Sequence, residues 1–291
     1  MLCALHQNIR RFMKSIIIAC LVGAGWFWFS HYRMRRSITV TCASMKDIGT
    51  YLQEQIAAYL PHEVLCAFDL DNTLLRIDSP LVYQRKRYRS VYEKLRASYP
   101  KVTTAMLYRT LAPHVRLTEP DVLPLLQSLK CEKIGFTACE TGVFNDGITV
   151  EQYRYEELKA KGITFENIFH EQSFTLNDCD PHEGQYPTYH KGILFSLPKL
   201  KGSTSKGAVL CAFLKKIRYT PKCIVLVDDR VINHYTVRKA LRRHFPSVKF
   251  IGIWYTGAQT KSSVPFTEEE FRRDAEVLFE QAQTLYGAQK G

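Results

Sequence analysis

The stretch Val64-Leu65-Cys66-Ala67-Phe68-Asp69-Leu70-Asp71-Asn72-Thr73 decides how the chain is read. Five consecutive apolar residues without polar alternation suit a strand that is covered on both faces. The run stops at Asp69, and Asp71 follows two residues later. On an extended backbone, side chains at i and i+2 point to the same side, so two carboxylates would stand close together. Left alone they would repel, and each would resist ionising beside the other. A hard divalent cation relieves that conflict, and Mg²⁺ favours such oxygen donors together with water and phosphate.

The same arrangement recurs downstream. Cys223-Ile224-Val225-Leu226-Val227 is the clearest apolar run in the chain, and Asp228 and Asp229 end it. Ile134-Gly135-Phe136 is a shorter run that ends at the hydroxyl of Thr137, and Phe250-Ile251-Gly252-Ile253-Trp254 is another. Helical patterns lie between. Ser44 predicts a cap ahead of Ile48, Leu52 and Ile56, with Pro61 closing the helix. Residues 80–116 read as helical, with Tyr88, Tyr92 and Leu95 at three- and four-residue intervals, and Thr118–Lys130 reads as a second capped helix. A helix should start near Lys206 and run through Val209, Leu210, Phe213 and Leu214, and a basic one should surround Val237–Arg243. Thr267 with Glu270 predicts a capping box for the last helix, and Phe266 with Phe271 a hydrophobic staple.

Strands alternating with helices predict an α/β fold with a mainly parallel sheet and helices on both faces. Ligands bind such sheets beyond the carboxyl ends of the strands. The acids, the Thr137 hydroxyl and Lys206 near a positive helix end would therefore surround one crevice, a set suited to phosphoryl transfer. Lys191 competes for the lysine's place. It precedes Gly192-Ile193-Leu194-Phe195, however, which reads as a strand, whereas Lys206 heads a helix that ends just before Asp228.

FDLDNT at 68–73, the strand ending in Thr137, Lys206-Gly207 at a helix start and VDD at 227–229 resemble, in the same order, the four motifs of the haloacid dehalogenase (HAD)-like superfamily. The resemblance covers roughly residues 44–260. It points to an uncharacterised bacterial branch with an N-terminal export signal and, more distantly, to secreted acid phosphatases. It implies a Rossmann-like, HAD-type sheet with a small, mainly helical cap inserted at 75–116. The core would comprise 44–74 and 117–291, with a mixed insertion at about 140–200. By the same resemblance, Asp69 attacks phosphorus to give an aspartyl phosphate, and Asp71 serves as general acid and then base. Asp69 and Asp71 would hold Mg²⁺ with Asp228 or Asp229, or both, completing its shell. Thr137 and Lys206 would hold the phosphoryl oxygens. Ala138 and Cys139 stand where related phosphatases often carry an arginine. The implied activity is Mg²⁺-dependent hydrolysis of a small anionic phosphate ester. The alternative is a membrane-tethered or secreted HAD-like binding or effector protein without efficient catalysis.

The net charge of +12 is concentrated in two places. Residues 1–36 hold six basic residues and no acid, and residues 75–116 hold ten against Asp78 and Glu93, which leaves the remainder slightly acidic. A nucleic-acid partner is therefore not expected. Within 75–116, Arg85, Lys86, Arg87 and Arg89 alternate with Tyr83, Tyr88 and Tyr92. They form either a solvated helical face or a cap that attracts anions and offers tyrosines for stacking on a base.

Sixteen uncharged residues, 15–30, follow Arg10, Arg11 and Lys14. They predict an exported or periplasmic protein with a cleaved signal, or a membrane-anchored one; a buried helix is the remaining reading. Residues 1–43 would be that signal or anchor plus a linker, with small residues at Thr41-Cys42-Ala43 as a cleavage point. Nine cysteines without any CxxC spacing argue against a zinc site, and in an exported protein two of Cys131, Cys139 and Cys179 could pair.

Overall fold

The structure, a computed structural model, describes residues 37–165, 167–182, 184–198, 205–258 and 266–286. In chain order the elements are β1 (Ile38–Cys42), α1 (Met45–Ile56), β2 (Val64–Phe68), β3 (Leu75–Ile77), α2 (Pro80–Gln84), α3 (Arg89–Ser98), α4 (Thr104–Thr110), β4 (Val115–Leu117), α5 (Val122–Ser128), β5 (Glu132–Thr137), α6 (Val150–Ala160), β6 (Ser173–Thr175), β7 (Thr188–His190), β8 (Ile193–Phe195), α7 (Lys206–Lys216), β9 (Cys223–Asp228), α8 (Val231–His244), β10 (Lys249–Tyr255) and α9 (Glu268–Tyr286).

The five apolar residues of β2 are all buried, and β2 pairs in parallel with β9 on one side and β5 on the other. Eight strands form one sheet in the order β1-β10-β9-β2-β5-β8-β7-β6. Neighbours from β1 to β8 run parallel, and β7 and β6 complete an antiparallel edge. The fold is thus α/β, with a mostly parallel sheet between helices. Successive residues of the central strands serve opposite faces. Cys66, Phe68, Val225 and Val227 pack with Ile48, Leu52 and Leu125 of α1 and α5. Leu65, Ala67, Ile224 and Leu226 pack with Val209, Phe213, Val237 and Leu241 of α7 and α8. From β2 the chain builds outward to β5 and β8 on one side and returns to β9 on the other, which makes the carboxyl end of β2 a topological switch point.

Residues 75–117 leave the sheet and return to it through the antiparallel pair β3/β4. The helical stretch expected over 80–116 is instead three short helices: a turn at 85–88 separates the first two, Pro100 falls between the second and third, and Pro113 follows the third. Thr118 does not cap a helix; its hydroxyl donates to the Thr73 carbonyl at 2.6 Å, and α5 begins at Val122. Tyr88 and Tyr92, considered above for base stacking, are buried against Phe271 and Phe279. Those two phenylalanines belong to α9, so α9 packs on α2–α4. This corrects the assignment of the whole of 117–291 to the sheet core. The capping box of α9 forms as expected, with Glu270 N–H donating to Thr267 Oγ1 at 3.2 Å and Thr267 N–H to Glu270 Oε2 at 2.7 Å.

A second correction concerns the N-terminal side. Residues 38–42, expected in a linker, are edge strand β1, paired with β10 from Ile38↔Ile251 to Cys42↔Tyr255. Alternation of Ile38, Val40 and Cys42 with two threonines marks a half-buried strand, a pattern too short to separate from the preceding basic residues by eye. Thr41 and Cys42 lie in this strand, so cleavage there would strip the sheet edge. Residues 15–30, read as signal or anchor, lie outside the described residues. No helix among the described residues is long and apolar enough to cross a membrane. The seven described cysteines are free, including Cys131, Cys139 and Cys179; Cys131 Sγ lies 3.3 Å from Cys66 Sγ.

A chain that begins at Ser44 should accordingly be less stable than one that begins at Ser37. Loss of three half-buried side chains and one strand ladder should remove roughly 2–3 kcal/mol, which lowers the melting temperature by about 5–10 °C for a unit of this size. Equal melting temperatures in differential scanning calorimetry would show that β1 adds nothing to the core.

Candidate active site

Asp69 sits one residue beyond β2, and its N–H still donates to the Val227 carbonyl at 2.9 Å. The chain then turns sharply. Leu74 and Leu75 N–H both donate to Leu70 O, at 3.0 and 2.8 Å, and Asn72 takes a left-handed φ of 62°. Asparagine is among the few residues that tolerate that region, which accounts for its place in this loop. The turn leaves Asp69 6% exposed and Asp71 half-buried at the sheet edge.

Lys206 occupies the first helical position of α7, behind Ser205 as N-cap. Its side chain is buried, and Nζ donates to Asp69 Oδ1 at 2.6 Å, to Asp228 Oδ2 at 2.8 Å and to the Phe136 carbonyl. All three ammonium hydrogens are therefore used. Gly207 makes this seat available. A Cβ there would meet the Thr236 carbonyl oxygen of α8 at 2.2 Å, so only glycine lets α7 approach α8 so closely. Lys191, the rival lysine, lies away from the carboxylates, with Nζ 4.8 Å from the Tyr155 ring centroid.

Asp228 is fully buried and well supplied with donors. Asn233 Nδ2 donates to both of its oxygens at 2.9 Å, and Arg230 N–H to Oδ1 at 2.8 Å. Carboxylate oxygens of Asp69, Asp228 and Asp229 all lie within 4.8 Å of one another. Burial, with Asp228 and Asp229 alongside, pushes Asp69 well above the usual carboxylate range, against the pull of Lys206. Burial and Asp228 push Asp229 up to about 6. Burial would lower Lys206, but Asp228 and Asp69 outweigh it and hold the ammonium charged. Three carboxylates thus share one ammonium, and full ionisation leaves excess negative charge on hard oxygen donors. That donor set fits Mg²⁺.

Asp71, expected among the metal ligands, stands outside this group. Its Oδ1 accepts from Arg154 Nη2 at 2.8 Å and its Oδ2 from Thr137 Oγ1 at 3.3 Å. The guanidinium of Arg154, 1% exposed, also donates to Glu157 at 2.8 Å and lies 4.1 Å from the Tyr108 ring centroid. Sequence reasoning missed Arg154, since nothing in its local pattern on α6 announces a partner 83 residues away. It also missed Asn233 and Thr73. Both lie within a few residues of an aspartate already singled out, and Thr73 Oγ1 donates to Asp69 Oδ2 at 3.2 Å.

These groups open into a crevice of about 460 Å³, lined by Asp69, Asp71 and Asp229 from the sheet side and by Arg85, Arg96 and Thr104 from the inserted helices. A larger depression of about 620 Å³ around Lys130, Phe165 and Lys191 contains none of the carboxylates described above. We place the candidate site in the smaller one because the chemistry is there.

The family described as a protein of unknown function (DUF2608) matches residues 41–285. The chain belongs to that family. The DUF2608 match takes in Asp69, Asp71, Thr137, Lys206, Asp228 and Asp229. An uncharacterised protein of Rickettsia typhi is 25% identical over 209 residues, 68% of this chain and 69% of that one. An uncharacterised protein of Rickettsia prowazekii is 27% identical over 117 residues, 40% of this chain and 38% of its own. No solved structure matches.

The raised value of Asp229 carries a sign. A carboxyl whose value is higher when folded binds its proton more tightly in the folded state, so its contribution to stability is present at low pH. It is lost as pH rises from the ordinary 3.8 through about 6. In chelator, the melting temperature of the protein should therefore fall more steeply between these limits than that of Asp229→Asn. Parallel curves for the two proteins would contradict the placement of Asp229 beside Asp228.

Proposed function

We propose that this DUF2608 chain is a Mg²⁺-dependent phosphohydrolase of the HAD type, acting through an aspartyl phosphate on a small anionic phosphate ester. One observation carries the reading: a buried lysine bridges strand-end Asp69 and Asp228 beside a crevice that Asp69, Asp229 and the arginine-paired Asp71 line. The order of FDLDNT, Thr137, Lys206-Gly207 and VDD along the chain supports it further.

In this reading Asp69 Oδ2, held by Thr73, attacks phosphorus while the bond to the leaving oxygen breaks, and Asp71 gives that oxygen its proton. Asp71 then takes a proton from the water that attacks the aspartyl phosphate, which frees Asp69 and inorganic phosphate. Thr137 turns its hydroxyl from Asp71 to a phosphoryl oxygen, and Lys206, whose three hydrogens go to Asp69, Asp228 and the Phe136 carbonyl, offsets phosphoryl charge from beside Asp69. Arg154 keeps the Asp71 carboxylate turned toward the reacting groups. Asp69, Asp228 and Asp229 would hold Mg²⁺, which when bound would supply positive charge to offset that of the reacting phosphate. The basic and apolar run at 10–30 supports export or membrane attachment as the setting.

Asp69→Asn should remain folded and lose hydrolysis of p-nitrophenyl phosphate by about 10³-fold or more, as expected when a nucleophile is removed. Turnover within tenfold of the natural chain would sink the covalent mechanism. Inactivity of the natural chain across a panel of phosphate esters would favour a binding protein instead.

Millimolar Mg²⁺ should raise the melting temperature through binding linkage, and saturation at ten times the dissociation constant corresponds to about 1.4 kcal/mol. Asp229→Asn should reduce that rise. A melting temperature that ignores Mg²⁺ would argue against a cation among the three carboxylates.

A further inference from the structure

We infer that the crevice takes a phosphate ester bearing a second anionic group, which Arg85 and Arg96 bind; this rests on the phosphohydrolase reading of the same crevice. The basic charge of 75–116 is not spread evenly over the folded surface. Arg89 pairs with Glu93 at 3.9 Å, Arg109 with Asp146 at 2.7 Å, and Arg116 donates to the Pro113 and Val115 carbonyls. The guanidinium of Arg87 lies 5.2 Å from the Tyr88 ring centroid. Of the ten basic residues in that segment, Arg85 and Arg96 are the two that line the crevice with Asp69, Asp71 and Asp229.

Neither of these arginines has a carboxylate partner among the described residues. Arg85 is steadied on the Tyr92 ring, 4.3 Å from its centroid, and Arg96 follows Tyr92 by one turn of α3. Three of the acids that line the crevice are already engaged: Asp69 is held by Lys206, Asp71 by Arg154, and Glu140 accepts the Ala105 N–H at 3.1 Å. The fourth, Asp229, stands in the carboxylate cluster with Asp69 and Asp228, where a cation would take it. Two guanidinium forks therefore face the crevice with their donors available, opposite the wall where phosphate would react. Such forks match carboxylate and phosphate in shape as well as charge.

The lining argues for an anion rather than a base, since no tyrosine belongs to it among the described residues. Tyr88 and Tyr92 are 8% and 7% exposed, so neither offers a stacking face. A volume of about 460 Å³ lies within the range of small-ligand sites and exceeds what a phosphate group alone would fill. Because both arginines are exposed, water competes for them, and their effect should be moderate rather than decisive for turnover.

The test compares phenyl phosphate with 4-carboxyphenyl phosphate and 1,4-phenylene bisphosphate, which keep the same ring and add a carboxylate or a second phosphate. The natural chain should favour at least one of the doubly charged esters by about tenfold in kcat/KM, the size expected of a charged hydrogen bond. In Arg85→Gln/Arg96→Gln, with folding checked by circular dichroism, that ratio should fall to near one. In Lys86→Gln/Arg87→Gln it should persist. A ratio near one in the natural chain, or one that survives loss of Arg85 and Arg96, overturns the inference while leaving phosphatase activity intact. If no ester is hydrolysed, the phosphohydrolase reading fails separately. Calorimetric binding of 4-carboxyphenylphosphonate against phenylphosphonate then decides the subsite. Tighter binding of the carboxylated compound that needs both arginines upholds it; equal binding, or none, overturns it.

Discussion

The buried ammonium of Lys206 is the interaction on which the rest of this structure depends. It reaches from the first turn of α7 to Asp69 after β2, to Asp228 at the end of β9 and to the Phe136 carbonyl of β5. One cation thus ties three neighbouring parallel strands together at their carboxyl ends. Two buried carboxylates on adjacent strands would otherwise be untenable, because removing one partner of a buried ion pair typically costs about 3–5 kcal/mol. The arrangement in turn constrains the packing around it. α7 must come close enough to place the ammonium, and Gly207 permits this by leaving room for the α8 backbone.

That neutralisation is incomplete. With Asp229 beside Asp228, the cluster holds more negative charge than one ammonium offsets, and burial deepens the conflict. Asp71 is kept out of it. Arg154, brought in by α6, provides that aspartate with its own counter-charge and with a fixed direction. Two acids only two residues apart therefore have different electrostatic surroundings. One is crowded among carboxylates and the other is paired with a guanidinium, the kind of division that lets neighbouring groups take distinct chemical roles.

The opposite wall of the crevice comes from the helices between β3 and β4, and those helices are themselves built around α9. Tyr88, Tyr92, Met106 and Leu107 share one core with Phe271, Leu278 and Phe279. The wall that carries Arg85 and Arg96 is therefore held in shape by the C-terminal helix, far away in sequence. With Tyr88 and Tyr92 taken up in this packing, Arg85 and Arg96 are the cations this segment presents to the crevice.

The grouping of the candidate site's residues was legible in the sequence because parallel strands bring their carboxyl ends to one edge, so that residues just after each apolar run must meet there. Asp69, Thr137, Asp228 and Asp229 could be read that way, and Lys206 from its place at a helix start. The α/β class followed from the same alternation of apolar runs and helical spacing. Tertiary structure alone decided which carboxylates cluster, that Asp71 turns to Arg154, that α9 joins the inserted helices and that residues 38–42 close the sheet edge. The physical reason is that period and spacing report a residue's own face and neighbours along the chain. Contacts across 83 or 137 residues, such as Arg154 with Asp71 or Lys206 with Asp69, are set by how whole elements pack. No local pattern encodes them.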